Sequence, residues 1–390
     1  MSPFSPSEVE GSLARSLAAG LVVALTLLGC PKPGEDVDPK TRADGHYLAG
    51  QAAYLKGDFP EAHKQFAEVR TLNPTDPRLP AAEGEVYLSE AKVPEAIEAF
   101  EAAAKADPKR GTTWSRLGYL YSVKGEKEKA RAALEKALAA NAKDFNALET
   151  LADVQLEDGK VDDAVKNLVA ASDFAPEATR GDLVLRVTAE LQKAGRGGEA
   201  VPILEAAVKK GIKSAAVFNE LGDRLVEASR FEDAVAAYEA AAKLDAKDPA
   251  LWELVGEVQL KLNKVAEAEA AFHKSLEVKD RGVVHVALAR LCKQKKDDAC
   301  AKAELQKALD TSTGEELRET LELAELLAES DRKKDALALL RSVSEESEQK
   351  GNIELHLRTA RLAKELKDEV TVKAACTRAL SNGQAGLRCP

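Results

Sequence analysis

Residues 111–144 read GTTWSRLGYLYSVKGEKEKARAALEKALAANAKD, and the reading of this stretch decides the fold. Gly118 in its first half and Ala130 in its second are small residues at the places where two antiparallel helices have to approach closely. Between them Gly125-Glu126 offers the left-handed backbone that closes one helix and starts the next. The unit is a helix, a tight turn and a second helix.

Working outward, the alanine that opens the second helix recurs at Ala62, Ala96, Ala130, Ala164, Ala200, Ala234, Ala268, Ala301 and Ala336, at intervals of 33 to 36 residues. A fixed period of this length marks a repeat array. A second marker keeps the same register: Pro74, Pro108 and Pro176 follow the second helix of their units, where a residue without an N–H ends a helix. Gly50, Gly84, Gly118, Ala152, Gly222 and Gly256 supply the small residue on the first helix. Turn glycines stand at Gly57, Gly125, Gly159 and Gly195. Trp114, Trp252, Phe66, Phe100, Phe272 and Tyr238 are expected to fill the space between units, so that each unit completes its core on its neighbour.

Trp114, Leu117, Gly118, Tyr121, Gly125, Ala130, Leu134 and Ala137 resemble the signature of the tetratricopeptide repeat, and the resemblance runs over nearly the whole chain after residue 43. It implies an all-α fold, a right-handed α-solenoid or superhelix of about ten antiparallel helix pairs. Residues 43–280 carry about seven well-formed repeats and residues 281–382 degenerate ones, followed by a tail at 383–390. Composition agrees, with 45% apolar residues but only 4% aromatic ones, which suits helices packed through small side chains. The net charge of −10 speaks against a nucleic-acid surface, which needs a concentrated excess of Lys and Arg.

The first thirty residues suggest a compartment. Residues 17–28, LAAGLVVALTLL, form an apolar run of signal-peptide length, too short to span a bilayer, and Leu27-Leu28-Gly29-Cys30 follows. The motif resembles the lipobox of bacterial lipoproteins. That resemblance implies a signal peptide at 1–29, cleavage before Cys30, lipid on Cys30 and a tether over 30–42 rich in Pro, Gly and charge. Pro31, in place of an Asp after the lipidated cysteine, implies the outer membrane, with the protein facing the periplasm. The flank departs from the usual pattern, since Arg15 is its only basic side chain beside Glu8 and Glu10.

In tetratricopeptide arrays the first helix of each repeat lines the concave face. By that resemblance the partner-binding groove of this chain comprises Tyr47, Gln51, Tyr54, Glu85, Tyr119, Glu149, Asp153, Glu157, Asp223, Glu227, Glu253 and Glu257. Its middle reads as acidic. Two readings of that acidity stand side by side: a cationic partner segment that offsets it, or a wet groove that screens it. The chaperone-tail clamp of some family members uses Lys and Asn at these places, and this groove has the opposite charge.

With Cys30 assigned to lipid, four cysteines remain, an even number suited to an oxidising compartment. Cys292 and Cys300 flank the turn of the eighth repeat and can face each other across it. Cys376 and Cys389 can staple the last helix to the tail, and other pairings or free thiols stay open. Zinc-type spacing is missing from these cysteines, and the five histidines form no metal-ligand or catalytic motif, so neither metal, cofactor nor enzymatic activity is expected. Two functions remain. One is an envelope scaffold that binds other envelope proteins or extended peptides and assists assembly of an outer-membrane, secretion or pilus machine; the other is a reversible peptide- or glycan-binding module that regulates an envelope enzyme.

Overall fold

A computed structural model describes residues 38–311, 317–345 and 352–382. Among these residues every regular element is helical, and the helices come in ten pairs. The first five are α1 (Pro39–Leu55) with α2 (Phe59–Leu72), α3 (Leu79–Ser89) with α4 (Val93–Ala106), α5 (Gly111–Val123) with α6 (Lys127–Ala140), α7 (Phe145–Glu157) with α8 (Val161–Phe174), and α9 (Glu177–Lys193) with α10 (Ala200–Lys209). The others are α11 (Ala215–Glu227) with α12 (Phe231–Leu244), α13 (Pro249–Lys261) with α14 (Val265–Val278), α15 (Gly282–Gln294) with α16 (Asp298–Thr311), α17 (Leu317–Glu329) with α18 (Lys333–Glu345), and α19 (Ile353–Glu365) with α20 (Glu369–Asn382). The chain divides into two units, Met1–Ile203 and Leu204–Pro390, each a stack of pairs.

One backbone device builds all ten pairs. At the turn stands a residue with positive φ: Gly57, Ala91, Gly125, Gly159, Gly195, Ser229, Asn263, Lys296, Asp331 and Lys367. The N–H of the next residue reaches back five positions, as from Asp58 to the Ala53 carbonyl (2.9 Å), Lys160 to Gln155 (2.8 Å) and Asp368 to Ala363 (2.9 Å). This is the helix-ending geometry that glycine favours. Six of the ten positions are not glycine. There, packing of the two helices on each other outweighs a local penalty of about 1 kcal/mol.

Five residues beyond each turn comes the alanine register. All nine registered alanines are at most 2% exposed, so a larger side chain at any of them would force the pair apart. In the tenth pair Val372 takes this place, five residues after Lys367.

The large side chains do more than the sequence expectation gave them. Each ring of Phe66, Phe100, Tyr238 and Phe272 lies on the glycine sixteen residues before it in its own pair, Gly50, Gly84, Gly222 and Gly256 respectively, while Phe66, Phe100 and Phe272 also share a core cluster with the first helix of the next pair. Leu134 lies on Gly118 in the same way. A glycine bares the helix backbone and leaves a slot that the facing side chain fills. The two tryptophans are only half-buried. Trp114 donates its Nε1–H to the Pro108 carbonyl (2.8 Å) with the Lys136 ammonium 3.9 Å above its ring, and Lys274 stands 4.1 Å above Trp252.

Aliphatic and alanine contacts join these rings in carrying the core from one neighbour to the next. In the first unit one cluster runs from Ala96 and Ile97 through Leu117, Leu120 and Leu134 to Leu151 and Val154. In the second, another runs from Val286 through Leu305, Leu327 and Leu340 to Leu362. Within each unit, such clusters carry the core from one pair to the next, as a linear repeat requires.

Candidate functional site

First helices of successive pairs touch along each stack, α1 with α3, α5 with α7 and α15 with α17, and their free faces form the surface expected to bind partners. In the first unit this surface opens into a cavity of about 160 Å³. Tyr47, Gln51 and Tyr54 of α1 form one wall, Ala81, Ala82 and Glu85 of α3 another, and Arg110, Thr112 and Thr113 at the start of α5 the third. Phe66 and Phe100 also line it. They reach it because Gly50 and Gly84 have no side chains to cover them.

The polar groups around this cavity are mostly engaged. Gln51 donates to the Tyr47 hydroxyl (3.2 Å), and Ser89 donates to that of Tyr54 (3.3 Å). The Arg78 guanidinium lies 4.5 Å over the Tyr47 ring, pairs with Asp44 (2.5 Å) and grips buried Asp76 through Nη2 (2.6 Å) and Nε (2.9 Å). Those bonds hold the Asp76 carboxyl below the usual carboxylate range. Burial pushes the Tyr47 hydroxyl up, with Arg78 and Arg110 acting against it. Glu85 accepts from Arg116 Nε at 2.8 Å.

Glu85–Arg116 is the first of a series. Glu149 (3.0 Å) and Asp153, both on α7, share Arg186 of α9, and Glu157 takes Lys127 (2.9 Å). Burial pushes the Glu149 carboxyl up, and Arg186 opposes the shift. In the second unit Glu253 pairs with Arg281 (3.3 Å) and accepts from the Ser275 hydroxyl (3.1 Å). Arg290 reaches Glu322, Lys293 reaches Glu329, and Arg358 reaches Glu325 (3.3 Å), each pair joining the first helices of neighbouring units. Asp223 accepts from the Tyr238 hydroxyl (2.7 Å), so it belongs to the packing of α11 on α12, and Glu227 pairs with Arg224 (2.7 Å). Tyr119 is half-buried and Glu257 exposed.

The residues named for the groove therefore do lie along first helices, but their charge is not an open acidic stripe. Cations about one repeat away in sequence neutralise Glu85, Glu149, Asp153, Glu157 and Glu253, a relation that a map of first-helix positions alone does not reveal. Arg116, Arg186 and Arg281 were missed for this reason, and Arg110, at the cavity rim, because it precedes its first helix. The 31- to 37-residue intervals of 85–116, 149–186 and 153–186 were the available signal.

In the eighth pair Cys292 and Cys300 are joined by a disulfide with a Cα–Cα distance of 5.7 Å. Cys376 is also disulfide-bonded. Cys30 and Cys389 lie outside the described residues. On the helix that carries Cys292, buried His285 is held at both ring nitrogens, Nδ1 by Glu304 (2.6 Å) and Nε2 by Asp280 (2.7 Å). Among the described residues no group of three or more His, Cys, Asp or Glu side chains is arranged to hold a metal, and no helix is long and apolar enough to cross a membrane.

Comparison with known proteins adds three findings. The human Superkiller complex protein 3 is 34% identical over 110 residues, 28% of this chain, which spans only 7% of that relative's length. Two crystal structures are similar to parts of this chain: MamA, with a TM-score of 0.40 and 22% identity over 45% of this chain and 94% of that one, and yeast Tom70, with a TM-score of 0.42 and 12% identity over 89% and 93%. The sequence profile of the tetratricopeptide repeat matches residues 81–145, 115–179 and 219–280. Its matches fall on helix pairs built by the turn and alanine register described above, so residues 81–179 and 219–280 carry tetratricopeptide repeats.

Proposed function

We propose that the protein is a lipid-anchored interaction scaffold of the bacterial envelope, holding partner proteins or extended peptides on the first-helix faces of its repeats and assisting assembly of a larger outer-membrane or secretion machine. The observation that carries the binding role is the aromatic cavity between α1, α3 and α5, a recess on a surface where most other charges are already matched. Stacked repeats offer a long side-chain surface suited to such partners. Anchoring is supported by Leu27-Leu28-Gly29-Cys30 and the Pro- and Gly-containing stretch after it. Two or more acyl chains give stable attachment where one gives marginal binding. The Cys292–Cys300 bridge fits an oxidising compartment such as the periplasm.

The test is crosslinking in native cells, then affinity purification of the tagged protein from detergent-solubilised envelopes with identification by mass spectrometry. Recovery of a stoichiometric envelope complex is the expected result, and background alone would overturn the scaffold. For the anchor, Cys30→Ala is expected to release the protein from membranes and abolish the acyl mass; a variant that stays membrane-bound would refute it.

A further inference from the structure

We propose that the cavity of the first unit takes a peptide segment bearing one large apolar side chain with an acidic side chain close to it, the apolar group entering among Tyr47, Tyr54, Phe66 and Phe100 and the carboxylate meeting Arg110. The proposal rests on the binding role assigned above and names the chemistry of the partner.

Size and lining select the anchor. A recess of about 160 Å³ with four aromatic walls accommodates a side chain of the bulk of Leu or Phe and strips water from it. Its polar wall atoms are committed to one another, as in the Gln51–Tyr47 and Ser89–Tyr54 bonds, so an apolar guest leaves none of these groups unpaired.

Charge selects the neighbour. Each other charged group at this cavity is matched: Glu85 by Arg116, and Arg78 by Asp44 and Asp76. Arg110 is exposed at the rim, caps the start of α5 through its backbone, and has no carboxylate partner among the described residues. It is near enough to the Tyr47 hydroxyl to act on its titration. An unmatched guanidinium beside an apolar recess favours a carboxylate, which it can hold in two parallel hydrogen bonds. The preferred partner of this part of the groove is thus acidic, opposite to the cationic one that the acidic first-helix positions suggested.

The test uses the full chain in detergent, panned against a phage library of random dodecapeptides. Enriched peptides are expected to carry Phe, Leu, Ile, Met or Trp within about three residues of Asp or Glu. Two variants change exposed rim residues only. Arg110→Glu is expected to weaken binding of the selected peptides tenfold or more and to reverse the charge preference on reselection. Thr112→Trp, at the mouth, is expected to block them while helical circular dichroism and the melting profile stay unchanged. Selection without an apolar-acidic pair, or binding indifferent to both variants, would overturn the proposal. If the variants lose the peptides yet still recover the same envelope complex after crosslinking, the scaffold stands and this cavity is not its docking point, which also overturns the inference. If the wild-type chain recovers no complex but binds the peptides in this way, the cavity chemistry stands and the scaffold fails.

Discussion

The ring of Phe272 lies on the bare Cα of Gly256, sixteen residues before it, and the same interval joins four other such pairs in the array. A Cβ on Gly256 would stand 2.5 Å from Phe272 Cε1. Gly256→Ala should therefore destabilise its repeats by about 1–3 kcal/mol through overpacking. Gly45→Ala on α1, where nothing lies within 4 Å of the added carbon, should be neutral or gain up to ~1 kcal/mol. Urea denaturation followed by circular dichroism compares the two; equal effects would show that the close approach does not constrain the pair.

The turn position offers the opposite experiment. Ala91 and Lys296 hold the left-handed conformation at φ of 58° and 60°, where glycine carries no steric penalty. Ala91→Gly and Lys296→Gly are expected to stabilise by roughly 0.5–1 kcal/mol, and Gly125→Ala to destabilise by a similar amount. Melting temperatures of the three variants decide the matter, and a loss in the first two would mean that their side chains contribute packing the turn needs.

Arg186 holds Glu149 and Asp153 across two repeats. Arg186→Ala should cost about 1–3 kcal/mol at pH 7, since it leaves half-buried Glu149 without its cation. Burial already raises the Glu149 carboxyl, and losing Arg186 raises it further. A group whose acid form is favoured in the fold costs stability when it ionises, so the deficit should shrink as pH falls through the carboxylate range. Denaturation midpoints at pH 7 and pH 4.5 report it; a deficit independent of pH would assign the loss to packing alone.

Both ring nitrogens of His285 face carboxylates, a geometry complete only when each carries a proton. Burial acts to raise the Glu304 carboxyl, but Lys307 and His285 outweigh it and hold the group low. His285→Leu should weaken the α15–α16 pair at neutral pH and move Glu304 upward. In the wild type the stability from Glu304 is present above its unfolded value and lost as pH falls through the lower folded one. NMR titration of the Glu304 carboxyl in both proteins measures the shift, and an unchanged titration would remove His285 as its partner.

The Cys292–Cys300 bridge joins two residues eight positions apart within one pair. By chain entropy, Cys292→Ser/Cys300→Ser should cost about 2–3 kcal/mol, lost chiefly from the eighth pair. Hydrogen exchange of α15 and α16 should rise while α5 and α6 stay protected. Uniform loosening of both regions would show that the bridge acts through the whole chain.

Much of the fold was legible in the sequence because its determinants are local. A pair closes when small residues sit at Gly118 and Ala130 and a turn stands between them, and these demands recur every 33 to 36 residues, so Ala62 to Ala336 announce nine pairs without knowledge of any long-range contact. What the stacked structure alone decided depends on residues far apart in sequence. Arg116 and Arg186 neutralise acids 31 to 37 residues earlier, and a cavity assembles from Tyr47, Glu85 and Arg110. Steric fit within a pair follows from residue size at a fixed spacing, whereas charge matching and cavity shape follow from distances between side chains that only stacking brings together.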